Sequence, residues 1–397
     1  MHPRTPFNLN NPVSSDIIHS ITITTLTLKY YQKWRITMKN ITYILPYLQK
    51  GGTETHVLEL IKGFINEYEI TLIAPPGSRL KDFQNYIINY LPFTDLNTNF
   101  LKGIRELKQN LNNLNSDLVH IHAAHEFILF SRLFAVNIPR IFTVHGYHQE
   151  SSSQKLDYKL CSFFNNLWSE KTIAISQAEK EVLLNAGINK EQLTLIHNGI
   201  SLPGNYSKNN LSPKYLSLSN SNKTILGTIA RLEKSKGLKY LIDSVNKINN
   251  DNYHLLILGS GSQEQKLKKQ VKKLNLNRNI TFTGFVHNVH DFLEIMDIFI
   301  LPSLEESFGL VSAEAMAHKL PVIATRTGGI PEIVDDKTTG FLVPPQNSKI
   351  LAAKISKLIK NKKQAAQMGT AGFQRYQKYF TLKQQIEKTK KIYEQVF

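Results

Sequence analysis

Apolar residues run along this chain in two alternating rhythms. Short runs bounded by Gly, Pro, Asn or charged residues recur at 41–46 (ITYILP), 69–74, 118–121, 139–144, 172–175 and 193–196, and again at 223–230, 253–258, 280–284, 297–303, 321–325 and 340–343. Runs of this length with little polar alternation read as strands buried on both faces. Between them the spacing lengthens to three and four, as in Val57, Leu58, Leu60, Ile61 and Phe64, or in Ile242 and Val245, which is a helical period. Strands alternating with helices predict parallel sheets covered by helices, an α/β chain.

The rhythm breaks at 198–221, where Asn, Ser, Gly and Pro dominate, so a domain boundary is expected there. The expected layout is a first domain over 38–200, a linker over 201–222, a second domain over 223–380, and a last helix over 381–397. Residues 1–37 are rich in Asn, Pro, Ser and Thr, and their one apolar stretch is interrupted by His19, Ser20 and threonines. They are expected to lie outside the core, with Met38 as the functional start.

Length agrees with two domains: 397 residues exceed what one ordinary hydrophobic core organises. No run of eighteen apolar residues is present to cross a bilayer. The single cysteine, Cys161, has no partner for an internal disulfide and reads as a small buried residue in a reducing compartment. The formal charge of +17 implies attraction to anions: phosphates, anionic lipid or nucleic acid. From 351 onward eleven Lys and Arg face two Glu within amphipathic patterns, which reads equally as a solvated basic face or a membrane-facing one.

The densest candidate chemistry lies at 304–318, LEESFGLVSAEAMAH. A strand ending in Pro302-Ser303 passes through a loop into a helix at Leu310, so Glu306 sits beyond the carboxyl end of a parallel strand, where open α/β sheets bind ligands. The free amides of Phe308, Gly309 and Leu310 at the helix start favour anionic or oxygen-rich groups. Glutamates are usually solvated. Glu314, however, is flanked by Ala313, Ala315, Met316 and Ala317, where an unpaired carboxylate is costly.

Other strand ends carry similar signals. Gly51 and Gly52 follow the first strand and let backbone approach a ligand, with Tyr47, Glu54 and His56 as neighbours. His145-Gly146 ends the strand at 139–144; a lone histidine is more often structural, but this one stands at a strand's carboxyl end. Arg231 and Lys236 flank the loop after 223–230 and suit a diphosphate. Gly259-Ser260-Gly261 resembles the start of a dinucleotide fingerprint, but Glu264 occupies the third glycine position, which argues against NAD. Asn198-Gly199 reads as plain turn chemistry. Cys/His zinc spacing, HExxH and Asp-x-Asp are all absent from the sequence, so no metal and no cofactor is expected.

Glu306 and Glu314, with seven residues between them, resemble the signature of family 4 of the retaining glycosyltransferases, the GT-B group (glycosyl transferases group 1). The run from Gly227 through Arg231, Leu232, Lys236 and Gly237 matches that family's G-x-x-x-R-L-x-x-x-K-G phosphate clamp at every fixed position. The resemblance covers Met38 to the C-terminus. It implies two Rossmann-like domains facing across a cleft, with the acceptor on the first and a nucleotide sugar on the second. It further implies Glu306 at the transferred sugar, Glu314 at the ribose, and Arg231 and Lys236 on the leaving diphosphate. His145 would be a sugar contact. Gly51, Gly52, Gly259, Phe308, Gly309 and Leu310 would meet the donor, and the last helix would cross back to the first domain.

The implied activity is retaining transfer of a hexosyl group to a glycan or lipid-linked acceptor in cell-surface polysaccharide or glycolipid synthesis. The setting expected is cytoplasmic, peripheral at an anionic inner membrane face, with no nucleic acid bound. A nucleotide-sugar epimerase or a phosphorylase shares the fold, and the charge leaves a basic nucleic-acid-binding protein as a remote alternative without a recognised motif.

Overall fold

The computed structural model of the chain describes residues 38–49, 51–135, 137–146, 152–248 and 252–397, with the side chains of 152–158 left aside. The expected extension, 1–37, lies outside the described residues. The first domain is a seven-stranded parallel sheet in the order β3-β2-β1-β4-β5-β6-β7. Its strands are β1 (Asn40–Ile44), β2 (Glu69–Ala74), β3 (Asn89–Pro92), β4 (Leu118–His122), β5 (Arg140–Val144), β6 (Lys171–Ala174) and β7 (Leu193–Leu195). The intervening helices are α1 (Gly52–Phe64), α2 (Leu80–Phe83), α3 (Phe100–Asn112), α4 (Glu126–Phe134), α5 (Ser152–Trp168) and α6 (Gln177–Asn185).

Side chains alternate across each strand, so β1 feeds two cores: Ile41 and Tyr43 pack under α1, while Ile44 packs with Leu107 and Leu111 of α3, Ile128 of α4, Cys161 of α5 and Leu183 of α6. The edge strand β3 escaped the sequence reading because none of its four residues is buried and it ends in proline, so it lacks an apolar run.

The segment expected as a linker carries a 3₁₀ turn at Lys208–Asn210 and α7 (Pro213–Ser219). Leu211 is buried in the second domain's core, and Asp291 Oδ1 accepts from Ser207 N at 2.8 Å. Its polar composition concealed a strap lying on the second domain. That domain is a six-stranded parallel sheet, β10-β9-β8-β11-β12-β13. Its elements are β8 (Thr224–Ile229), α8 (Leu238–Val245), β9 (Tyr253–Leu258), α9 (Glu264–Lys273), β10 (Ile280–Gly284), α10 (Val289–Leu293), β11 (Ile298–Leu301), α11 (Leu310–Ala317), β12 (Val322–Thr325), α12 (Ile330–Ile333) and β13 (Gly340–Val343). Then follow α13 (Ser348–Lys360), α14 (Lys362–Tyr379) and α15 (Leu382–Val396).

The connection between domains is double. Ile200 and Thr381 form a parallel bridge, with Ile200 N donating to Phe380 O at 2.8 Å and Leu382 N donating to Ile200 O at 3.0 Å. Beyond it α15 packs on the first domain, where Ile392 and Tyr393 join the core under α1. Tyr393 OH lies 2.9 Å from Tyr43 OH and 2.7 Å from His120 Nδ1, all buried.

In each sheet the strand order reverses next to its first strand, between β1 and β4 and between β8 and β11. Loops leaving the carboxyl ends there diverge and leave a crevice. The glycine loop leaves β1, Arg231 leaves β8, and the Glu306 loop leaves β11.

Candidate active site

These loops meet at a cavity of about 250 Å³ between the domains. Gly51, Gly52, His145, Arg231, Lys236, Glu306, Phe308, Gly309 and Leu310 all line it, together with Asn198 and Ser307. The domains touch here: Gly146, directly after His145, has φ +92°, and a Cβ on it would stand 1.6 Å from Ser307 Oγ. Only glycine permits both that backbone angle and that approach.

Positive charge is arranged unequally. Lys236 Nζ donates to Glu306 Oε2 at 2.7 Å, and both side chains are largely buried. Ser303 Oγ donates to the same oxygen at 3.2 Å. The expectation gave these two residues separate tasks, on the diphosphate and on the sugar; the structure holds them as one pair. Arg231, in contrast, is exposed on the cavity wall and has no ion pair among the described residues. The start of α11 adds backbone donors beyond Gly309, whose φ of +93° turns the chain into the helix.

Two expected residues lie outside the lining. Gly259 has φ +126°, and a Cβ there would come 1.9 Å from Ala230 O, so it lets the end of β9 pass against the residue before Arg231. Glu314, on α11, is half-buried and without a hydrogen-bond partner among the described residues. Burial pushes its carboxyl up to about 7.

The first-domain side holds residues whose part the sequence reading missed. Glu54 is buried beneath the glycine loop; its Oε1 accepts from Gln49 N at 2.9 Å while Oε2 has no hydrogen-bond partner among the described residues. Burial raises its pKa, opposed by those hydrogen bonds and by Arg79 and Arg231. Behind His145 stand His56, His120 and His122, all buried. His122 Nδ1 and His145 Nε2 are 3.0 Å apart, and the His56 and His145 rings meet edge to face at 4.6 Å. Burial, the leading cause, together with the neighbouring histidines, holds His122 and His145 well below the ordinary imidazole value, so both are neutral. The only local trace of this cluster is the alternation His120-x-His122 on one strand.

Ring nitrogens of His56, His122 and His145 lie within 4.8 Å of one another, a spacing that suits a metal ion. The protons do not suit one. Gln385 Nε2 donates to His56 Nδ1 at 2.9 Å, which leaves the hydrogen of neutral His56 on Nε2, and the His122–His145 hydrogen bond occupies another lone pair.

Glu332, in the short helix α12, joins the domains. Its carboxylate accepts from Gln177 N at 2.6 Å and Ala178 N at 3.0 Å, at the start of α6, and lies 2.9 Å from His197 Nε2.

Two family models match the chain, Glycosyltransferase Family 4 over residues 50–202 and Glycosyl transferases group 1 over residues 216–375. The capsular polysaccharide biosynthesis glycosyltransferase CapM of Staphylococcus aureus is 28% identical over 342 residues, covering 79% of this chain and 86% of that protein. The UDP-Gal:alpha-D-GlcNAc-diphosphoundecaprenol alpha-1,3-galactosyltransferase of Escherichia coli is 26% identical over 322 residues, covering 76% and 82%. Among solved structures, Anabaena Alr3699/HepE in complex with UDP-glucose superposes with a TM-score of 0.78 at 21% identity, covering 90% of this chain and 100% of that one. With two parallel α/β domains meeting at this cavity and each matched by its own family model, the chain belongs to the group 1 and family 4 glycosyltransferases of GT-B fold.

Proposed function

We propose that the chain transfers a hexosyl group from a nucleotide sugar to a hydroxyl of a glycan or lipid-linked acceptor, with retention and without a metal, in the synthesis of a cell-surface polysaccharide or glycolipid. The observation that carries this is the meeting in one cavity of an exposed arginine without an ion pair among the described residues, a Lys–Glu pair and a helix N-terminus from one domain with a glycine loop and a neutral histidine from the other. Cleaving the glycosidic bond leaves charge on a nucleoside diphosphate. Arg231, Lys236 and the first amides of α11 supply fixed positive charge where it develops. Glu306, held by Lys236 and Ser303, keeps an oxygen for a sugar hydroxyl and orients the transferred ring. Neutral His145 offers the sugar a hydrogen bond from the first domain. The activities for which CapM and the diphosphoundecaprenol galactosyltransferase are named support a polysaccharide or lipid-linked acceptor.

We also place the enzyme in the cytoplasm, peripheral on the inner membrane face. Among the described residues no helix is long and apolar enough to cross a membrane. Instead α5 exposes Leu160, Phe163 and Leu167 at a spacing that forms one stripe, with Leu133 on the neighbouring α4. The exposed cations Lys108 and Lys159 lie on the same helical layer, as does the half-buried Arg132. Apolar side chains among cations suit anionic lipid. Pelleting with anionic but not neutral vesicles is the expected result.

The test of the reaction is a screen of purified protein over UDP-, GDP- and ADP-sugars with and without sugar acceptors, followed by NMR of the product anomer. A transferred sugar of unchanged anomeric configuration supports the reading. An inverted product removes retention, turnover to an isomeric nucleotide sugar without acceptor points to an epimerase, and dependence on phosphate points to a phosphorylase.

A further inference from the structure

Asn198 ends the first domain, and its side chain was read as turn chemistry. It lines the cavity, yet its Oδ1 is buried and has no hydrogen-bond partner among the described residues, and the same is true of His56 Nε2. The two belong together: both atoms are buried and unpartnered among the described residues, and the Gln385 amide bridges His56 to Gly199, the residue next to Asn198; the Asn198 side chain also opposes the effect of burial on His56, which is lowered to about 4.

The polarity of this contact is set from the far end of the chain. Gly199 N, a donor only, gives its hydrogen to Gln385 Oε1 at 2.6 Å, which fixes the Gln385 amide. Gln385 Nε2 must then donate to His56 Nδ1, at 2.9 Å. Neutral His56 accordingly carries its hydrogen on Nε2, a buried donor with no acceptor among the described residues, just as the buried Asn198 Oδ1 has no donor. With its oxygen turned inward, Asn198 has only Nδ2 left for the cavity.

We propose that Asn198 is a substrate-binding residue whose amide donates to an oxygen of the bound substrate, and that Gln385 and His56 are positioning residues that aim it. The crossing helix α15 thereby completes a site that it does not touch. This rests on the transferase reading for the nature of the ligand, an oxygen-rich sugar or phosphate group, but not for the direction of the hydrogen bonds.

The test uses the full chain labelled with ¹⁵N-histidine. Long-range ¹H–¹⁵N correlation spectra assign each ring tautomer, and His56 is expected as the Nε2–H form, lost in Gln385→Leu. In turnover of the nucleotide sugar found by the screen, Asn198→Leu is expected to lower kcat/KM roughly 10–100-fold, the scale of a lost or misplaced contact. His56→Phe keeps the ring packing and is expected to cost less, with the double variant no worse than Asn198→Leu alone. An Nδ1–H form of His56 in the unsubstituted chain overturns the relay, whatever the variants do. Wild-type kcat/KM in Asn198→Leu overturns the binding role, and additive losses in the double variant make His56 merely structural. Absence of turnover with every sugar is a failure of the transferase reading, and the tautomer then decides the relay alone.

Discussion

Lys236 Nζ and Glu306 Oε2 stand 2.7 Å apart at the mouth of the cleft, each side chain only 16% exposed. Replacing either one leaves a mostly buried charge without its counterion, so the two residues work as a unit. Lys236→Met and Glu306→Gln are each expected to lower kcat/KM by roughly 10²–10³-fold, the cost of one lost electrostatic contact to a transition state. The double variant should be no worse than the worse single one. Losses that multiply would show two independent residues and refute the pairing as the functional unit.

Arg231 carries the complementary prediction. Being exposed in the cavity and without an ion pair or side-chain hydrogen bond among the described residues, it gives up only a longer-range attraction to Glu54 when removed. Arg231→Ala should therefore keep its melting temperature and circular dichroism while turnover falls on the order of 10²-fold or more. Activity should persist in EDTA; abolition by EDTA with rescue by Mg²⁺ or Mn²⁺ would assign leaving-group charge to a metal instead.

Glu314 predicts a pH dependence. Burial raises its folded pKa from 4.5 to about 7, so folding favours the protonated form. Its effect on stability is absent below pH 4.5, becomes a growing penalty as pH rises toward 7, and levels off above. The full penalty is about 3 kcal/mol at 1.36 kcal/mol per unit. Glu314→Gln should melt close to the wild type at pH 4.5 and higher than it at pH 8, by about 2–4 °C for each kcal/mol. If donor hydroxyls pair with this carboxylate, donor affinity must also rise with pH across the same window in the wild type and be flat in the variant. A melting difference that does not change with pH would show that Glu314 is solvated.

Glu332 holds the cleft closed from its rim. Hydrogen bonds to Gln177 N, Ala178 N and His197 keep its carboxyl below the usual range against the opposing effect of burial. The contact is thus present at neutral pH and is lost only as pH falls below that range. Hydrogen bonds to a charged group are worth about 1.5–3 kcal/mol, roughly 10–100-fold in a closure equilibrium. Glu332→Ala should give a larger radius of gyration by small-angle scattering without ligand, and a raised KM. An unchanged scattering profile would show that closure rests on other contacts.

Much of this was legible in the chain because it is local. Arg231, Lys236 and Gly237 lie within one loop, and the strand ends that carry Gly51 and His145 announce themselves by apolar runs that stop at glycine or histidine-glycine. What stayed hidden is made by residues far apart. Glu332 caps a helix 154 positions earlier, and Gln385 bonds His56 across 329. A surface glutamate and a helical glutamine leave no periodic trace of such partners. The Lys236–Glu306 pair was missed for another reason: each residue matched a motif by itself, and the motif says nothing about which side chains neutralise one another.

The return of α15 to the first domain carries a consequence for how the protein is made. Ribosomal synthesis usually releases an N-terminal domain whole, to fold while the rest is still being translated. Here the sheet that contains β1 has a face sealed by Ile392 and Tyr393 of α15, which follow the whole second domain along the chain. Until those emerge, Tyr43 and His120 lack the phenol they bond to, and the apolar face beneath α1 stays partly open to water. The first domain is therefore completed only after the second has been translated, and a ribosome that stalls before α15 leaves both sheets made but only one of them closed.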